Sequence, residues 1–224
     1  MNNKIFTLIF AMFFTTAINA QDWPNLSRFK EANEKVKALP LDNKRVVFMG
    51  NSITENWIKT YPDYFSGHFV NRGISGQTTP QMLIRFRNDV VALNPAAVVI
   101  LAGTNDIAGN TGPSTLEMIM DNLKSMSEIA QSNGIKVLLC SVLPAYDYSW
   151  RPGKEPNVKI PELNKMIKAY AQKNNFIYVD YFSAMADDKN GMKKEYTRDG
   201  VHPTVAGYDV MTPIIEKAIE GVLK

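Results

Sequence analysis

Cysteine is almost missing from this chain: its 224 residues include a single one, Cys140. That excludes an internal disulfide framework and a cysteine-built structural zinc site. Histidine is nearly as scarce, with only His68 and His202, which argues against chemistry that needs several imidazoles. Basic charge is not gathered either. Twenty-five Lys and Arg stand against 22 Asp and Glu, a formal net charge of +3, and they are scattered, so no basic face for nucleic acid is expected. Glycine (13) and proline (12) are too few for a collagen-like or low-complexity chain.

What is present is ordinary globular material, 45% hydrophobic and 21% charged. That is enough apolar surface to offset the entropy of ordering the chain. Residues 1–20, MNNKIFTLIFAMFFTTAINA, form a special case. Lys4 precedes an apolar run from Ile5 to Phe14, and small or polar residues follow as far as Ala20. A short positive head, a short apolar stretch and a small final residue describe a secretory signal peptide. The run is well short of the roughly 20 residues that span a bilayer. With no cysteine near the cleavage point, no lipid anchor is expected. The expectation is a signal peptide over 1–20, one domain over 21–224, a secreted or periplasmic location and no stable membrane anchor.

From Trp23 onward, short β-rich runs alternate with longer helical ones. An amphipathic helix is predicted over residues 23–38, and strands over 45–49, 69–71, 97–101, 136–142 and 176–180. The 97–101 run is wholly apolar, as a strand buried on both faces must be. Further helices are predicted after Thr79, where Pro80 fits the first helical position, and over 114–132, 161–173 and 204–223. Five alternations of strand and helix describe a parallel sheet covered on both faces, with right-handed crossovers. In such sheets functional residues gather beyond the carboxyl ends of the strands.

Four segments at those ends carry chemistry: Gly50-Asn51-Ser52-Ile53-Thr54, Asn71-Arg72-Gly73-Ile74-Ser75-Gly76-Gln77-Thr78, Gly103-Thr104-Asn105-Asp106 and Asp199-Gly200-Val201-His202-Pro203. Ester hydrolysis through an acyl-enzyme needs an activated nucleophile, a base near neutral pH, an orienter for the base and donors for the oxyanion. Ser52 follows a buried strand at a helix start, which also reads as a plain helix cap. Asp199 and His202, three residues apart, can share a hydrogen bond, or can form a surface turn. Asn105 offers amide donors and Gly76 an unshielded backbone N–H. Singly each reads as a turn or loop residue. The four segments in this order are far more specific than any one of them.

With these motifs the chain resembles the SGNH hydrolases, the GDSL-type esterase and lipase superfamily, over essentially all of residues 45–223. Within it the similarity is greatest to the platelet-activating-factor acetylhydrolase-like and carbohydrate-esterase branch. The resemblance implies an α/β fold, a flavodoxin-like three-layer α/β/α sandwich on a five-stranded parallel sheet. It implies Ser52 as nucleophile, His202 as base, Asp199 as orienter, and the N–H groups of Ser52 and Gly76 with the Asn105 side chain as oxyanion donors. No metal or organic cofactor is implied. The family usually carries Asp immediately before the nucleophile; here Asn51 stands there, keeping an acceptor oxygen but losing the charge.

The expected activity is hydrolysis of short acyl esters, acetyl foremost, on a small-molecule or oligosaccharide substrate. Trp57, Tyr146 and Trp150 are the expected substrate-binding aromatics, with Tyr148 and Arg151 in the same loop, because aromatic faces suit sugar rings and acyl chains alike. A lysophospholipase or thioesterase of the same superfamily is the alternative. A non-catalytic binding module on the same scaffold is the reading from another class. His68, in an irregular stretch, is expected to be structural or at the surface.

Overall fold

The strands form where β-branched and apolar residues run unbroken, and the computed structural model describes residues 22–224. The expected signal peptide lies outside the described residues. In chain order the elements are α1 (Lys30–Lys37), β1 (Val46–Gly50), α2 (Ser52–Thr60), β2 (Phe69–Gly73), α3 (Thr79–Asp89), β3 (Ala97–Leu101), α4 (Thr104–Ile107), α5 (Leu116–Ser132), β4 (Lys136–Cys140), α6 (Pro156–Lys173), β5 (Ile177–Val179), α7 (Phe182–Met185) and α8 (Val205–Leu223). The five strands are all parallel, in the order β2-β1-β3-β4-β5. That order reverses direction at β1, and the crevice between the carboxyl ends of β1 and β3 is where such sheets place ligands.

Side-chain alternation along the strands builds two cores. Val47 and Met49 of β1, Val98 and Ile100 of β3, and Val137 and Leu139 of β4 face α3, α5 and α6. Their neighbours Val46, Phe48, Val99, Leu101, Leu138 and Cys140 face α2 and α8. Both faces of β1 and β3 are therefore dry, which is why those segments read as continuous apolar runs rather than alternating ones. No helix among the described residues is long and apolar enough to cross a membrane.

Two helix starts move by five residues or more. The helix expected over 23–38 begins only at Lys30. Ahead of it the Asp22 carboxylate accepts the backbone N–H groups of Leu26 (2.7 Å) and Ser27 (2.9 Å), and Asn25 turns left-handed at φ 57°. The side chain thus takes donors that a helix would have used, and the segment becomes a turn. The helix expected from Pro161 begins one turn earlier, at Pro156, with Pro161 inside it. A proline there withholds the N–H that would reach the Asn157 carbonyl, and the Asn190 side chain supplies a donor to that carbonyl instead, at 3.1 Å.

Candidate active site

β1 ends at Gly50 and α2 begins two residues later, so Ser52 is the first residue of a helix whose cap is Asn51. The Asn51 side-chain oxygen accepts the Ile53 N–H at 3.0 Å. The amide therefore supplies the capping acceptor that an Asp would supply. β2 ends on Gly73, packed so close to α2 that a Cβ added there would lie 2.2 Å from the backbone nitrogen of Glu55. That contact, which only glycine permits, brings the Gly76 loop beside the start of α2.

The hydroxyl of Ser52 lies 2.9 Å from His202 Nε2, although 150 residues separate them. His202 Nδ1 lies 2.6 Å from Asp199 Oδ2. Partial burial pushes the Asp199 carboxyl up, but hydrogen bonds from the His202 backbone and imidazole and from the Val201 N–H outweigh it and hold the group at about 2. At neutral pH Asp199 is thus an acceptor only, so the Nδ1 that faces it carries the hydrogen. Nε2 is left with its lone pair toward Ser52, the tautomer a general base requires.

The loop bearing this pair closes largely on itself. Asp199 Oδ1 accepts the backbone N–H groups of Val201 (2.9 Å) and His202 (2.8 Å), and Thr197 Oγ1 donates to the His202 carbonyl at 2.9 Å. α8 starts just beyond, and its Tyr208 hydroxyl donates to the Ile53 carbonyl at 2.8 Å. That bond ties the segment carrying His202 to the turn of α2 that carries Ser52.

On the other side of Ser52 stand the donors. Asn105, 4% exposed, sits in the short helix after β3, and its Nδ2 donates to the Gln77 carbonyl at 2.9 Å. One of its two amide hydrogens is spent there, which fixes the direction of the other. Gly76 adopts φ +77°, a conformation that disfavours any side chain. Among the described residues the backbone N–H groups of Ser52 and Gly76 have no hydrogen-bond partner. Next to Asn105, burial pushes the Asp106 carboxyl up to about 6, against hydrogen bonds from the Thr79 hydroxyl and backbone N–H.

Arg85, fully buried on α3, binds these parts together. Its guanidinium donates to Gln77 Oε1 (2.6 Å), Asp89 Oδ2 (2.9 Å) and the carbonyls of Gly50 (3.1 Å) and Arg72 (2.8 Å). The ends of β1 and β2 and the loop after Gly76 thus meet at one side chain. Arg85, Thr197, Gln77 and Tyr208 were not anticipated from sequence. Arg85 did leave a trace, a charge on the helix face that also carries Met82 and Phe86.

The aromatics divide. Trp57 is not at the site: it is 1% exposed, stacked on Tyr64 and Tyr208 in the core and edge-on to Phe48. Five residues beyond Ser52 on a helix is a rotation of about 140°, so the indole turns away from the hydroxyl. Tyr148 is also buried, bonded to Thr104 Oγ1 at 2.8 Å. Tyr146 and Trp150 are exposed, and Trp150 Nε1 donates to Asn110 Oδ1 at 3.1 Å. Asn110 in turn donates to the Gly76 carbonyl, so Trp150 borders the donor side. His68 lies at the surface, paired with Asp42.

Residues 48–210, which contain all of this machinery, match the GDSL-like lipase/acylhydrolase family. The chain belongs to that family. Two solved structures are similar along nearly their whole length. A candidate acylhydrolase of Bacteroides fragilis is 48% identical, with a TM-score of 0.88 covering 91% of this chain and 100% of that one. A GDSL-like lipase of Bacteroides thetaiotaomicron is 47% identical, with a TM-score of 0.85 covering 88% and 98%. An acetylxylan esterase of Xylanibacter ruminicola is 28% identical across 83% of this chain, which spans only 45% of that relative's length. In GDSL-like acylhydrolase terms, the sandwich expected from the sequence is the one observed.

Proposed function

We propose that this acylhydrolase is an exported serine esterase that removes short acyl groups, acetyl foremost, from carbohydrate esters. The observation that carries the reading is the continuous line of contacts from Ser52 Oγ through His202 to Asp199, beside N–H groups of Ser52 and Gly76 that have no partner among the described residues. Ser52 attacks the ester carbonyl while His202 Nε2 takes its proton, and Asp199 stabilises the imidazolium. The oxyanion is met by the Ser52 and Gly76 N–H groups and by the second hydrogen of the Asn105 amide. His202 then protonates the departing alcohol. Water repeats the cycle on the acyl-enzyme and frees the acid.

Similarity to an acetylxylan esterase supports acetyl as the acyl group and a sugar as the alcohol. The sequence of residues 1–20 supports export, with the mature chain beginning at Gln21. The test is hydrolysis of p-nitrophenyl acetate and labelling by a fluorophosphonate, with Ser52→Ala beside the parent. The parent is expected to turn over and to label, and Ser52→Ala to do neither while keeping its thermal stability. Equal activity in both proteins would overturn the reading. Amino-terminal sequencing of protein recovered outside the cytoplasm checks the export.

A further inference from the structure

A cleft of about 330 Å³ opens beside Gly76, on the donor side of Ser52, between the turn that precedes α1 and the loop after β3. Trp23, Asn25, Gln81, Asn110 and Thr111 line it together with Ser75 and Gly76 itself. A larger hollow of about 630 Å³ lies elsewhere, between α1 and the edge strand β2, and contains none of the triad or donor residues.

The turn carrying Trp23 is strapped down rather than packed in. Gln77 Nε2 donates to the Pro24 carbonyl and Gln81 Nε2 to the Trp23 carbonyl, each at 2.7 Å, and Asp22 closes the turn from its other end. Yet Trp23 keeps 42% of its surface exposed. These bonds fix the backbone that carries the indole, and the ring, left out of the core, adds little to folding. It offers a flat face on an anchored turn at the rim of a cleft.

Apart from Ile74 and Gly76, the rest of the lining is made of amides, hydroxyls and one carboxylate. Its one charge, Asp22, already receives two backbone N–H groups. It contains no cation to receive a phosphate and no apolar tunnel for an acyl chain. Sugars present apolar C–H faces edged by hydroxyls that both donate and accept, which matches an indole surrounded by amides.

We propose that this cleft, whose lining includes neither Ser52 nor His202, is a distal subsite for the alcohol half of the ester, and that it holds an uncharged pyranose ring next to the acylated one, stacked on Trp23. The inference rests on the esterase reading above and adds to it where the sugar lies and which residue selects it. The Asn110 side chain, which bonds both Trp150 and the Gly76 carbonyl, links the occupied subsite to the oxyanion loop.

The experiment compares Trp23→Ala and Trp23→Phe with the parent on three substrates: p-nitrophenyl acetate, an acetylated xylooligosaccharide and lysophosphatidylcholine. Loss of one aromatic stack should raise KM for the oligosaccharide about tenfold in Trp23→Ala, with Trp23→Phe retaining most of the affinity. Both variants should hydrolyse p-nitrophenyl acetate within twofold of the parent, since that ester is too small to reach the cleft. Unlabelled xylotriose titrated into Ser52→Ala gives a readout free of turnover: tryptophan fluorescence should change, and not when Trp23→Phe is added. Equal losses on p-nitrophenyl acetate and the oligosaccharide, no loss on the oligosaccharide, or a loss confined to lysophosphatidylcholine would each overturn the proposal. Failure of the esterase reading is separately visible, as Ser52-independent hydrolysis of p-nitrophenyl acetate.

Discussion

Replacing Asn105 by alanine removes two hydrogens that do different work. One holds the Gln77 carbonyl at 2.9 Å, and its loss is structural. A net hydrogen bond is worth about 0.5–1.5 kcal/mol, and leaving a buried carbonyl unpaired costs about 1–3 kcal/mol. Asn105 is 4% exposed and water has little access, so a loss of about 1–3 kcal/mol is expected. Against a typical stability of about 5–15 kcal/mol the variant still folds. On the proposed mechanism the other hydrogen meets the oxyanion, and removing one such donor lowers kcat by about 10²–10³. Urea unfolding measures the first effect and p-nitrophenyl acetate kinetics the second. A kcat within threefold of the parent in folded protein would refute the donor role. A loss of rate matching the unfolded fraction would reduce Asn105 to a loop anchor.

Asp199→Asn should lower kcat by about 10⁴, because an amide can face His202 Nδ1 with its own hydrogens and reverse the tautomer; folded protein at near-parental rate would contradict the assignment. The same variant tests a linkage. Asp199 is held at about 2, below its ordinary 3.8, so it contributes stability above that ordinary value which is lost as the pH falls through about 2. Unfolding midpoints followed from pH 5 to pH 2 should therefore fall less in Asp199→Asn than in the parent. Asp106 carries the opposite sign. Its carboxyl is pushed up to about 6 by burial, so ionising it costs the folded state more and more as the pH rises from 3.8 to about 6. The stability of Asp106→Asn relative to the parent should rise across that window, and a constant difference would remove the burial argument.

How much could be read in advance depended on whether the signal was local. β3 was placed at its observed bounds because both of its faces are dry, and a wholly apolar run ending in glycine has few other readings. The segment ahead of α1 was misread because Trp23 and Leu26 suit an amphipathic helix, and only the Asp22 side chain diverts the backbone. Trp57 is close to Ser52 in sequence, but helical rotation decides its direction and turns it into the core. Ser52, Gly76, Asn105, Asp199 and His202 stand out as candidates because each lies just past a strand or in a short polar motif. The residues that hold them, Arg85 and Thr197 above all, act through bonds to partners elsewhere in the fold, and no spacing in the sequence announces that geometry.

The self-contained loop of Thr197, Asp199 and His202 has a consequence for how the molecule wears out on heating. Arg85 clamps one side of the crevice to the sheet with four hydrogen bonds, whereas the opposite side meets it through the Ser52–His202 contact, the Tyr208 hydroxyl and the buried Val201 side chain. A small outward swing of that loop would disconnect proton transfer from the nucleophile while every strand stayed paired. On heating, activity is expected to fall before the sheet melts, which activity and far-ultraviolet dichroism followed on one sample would show.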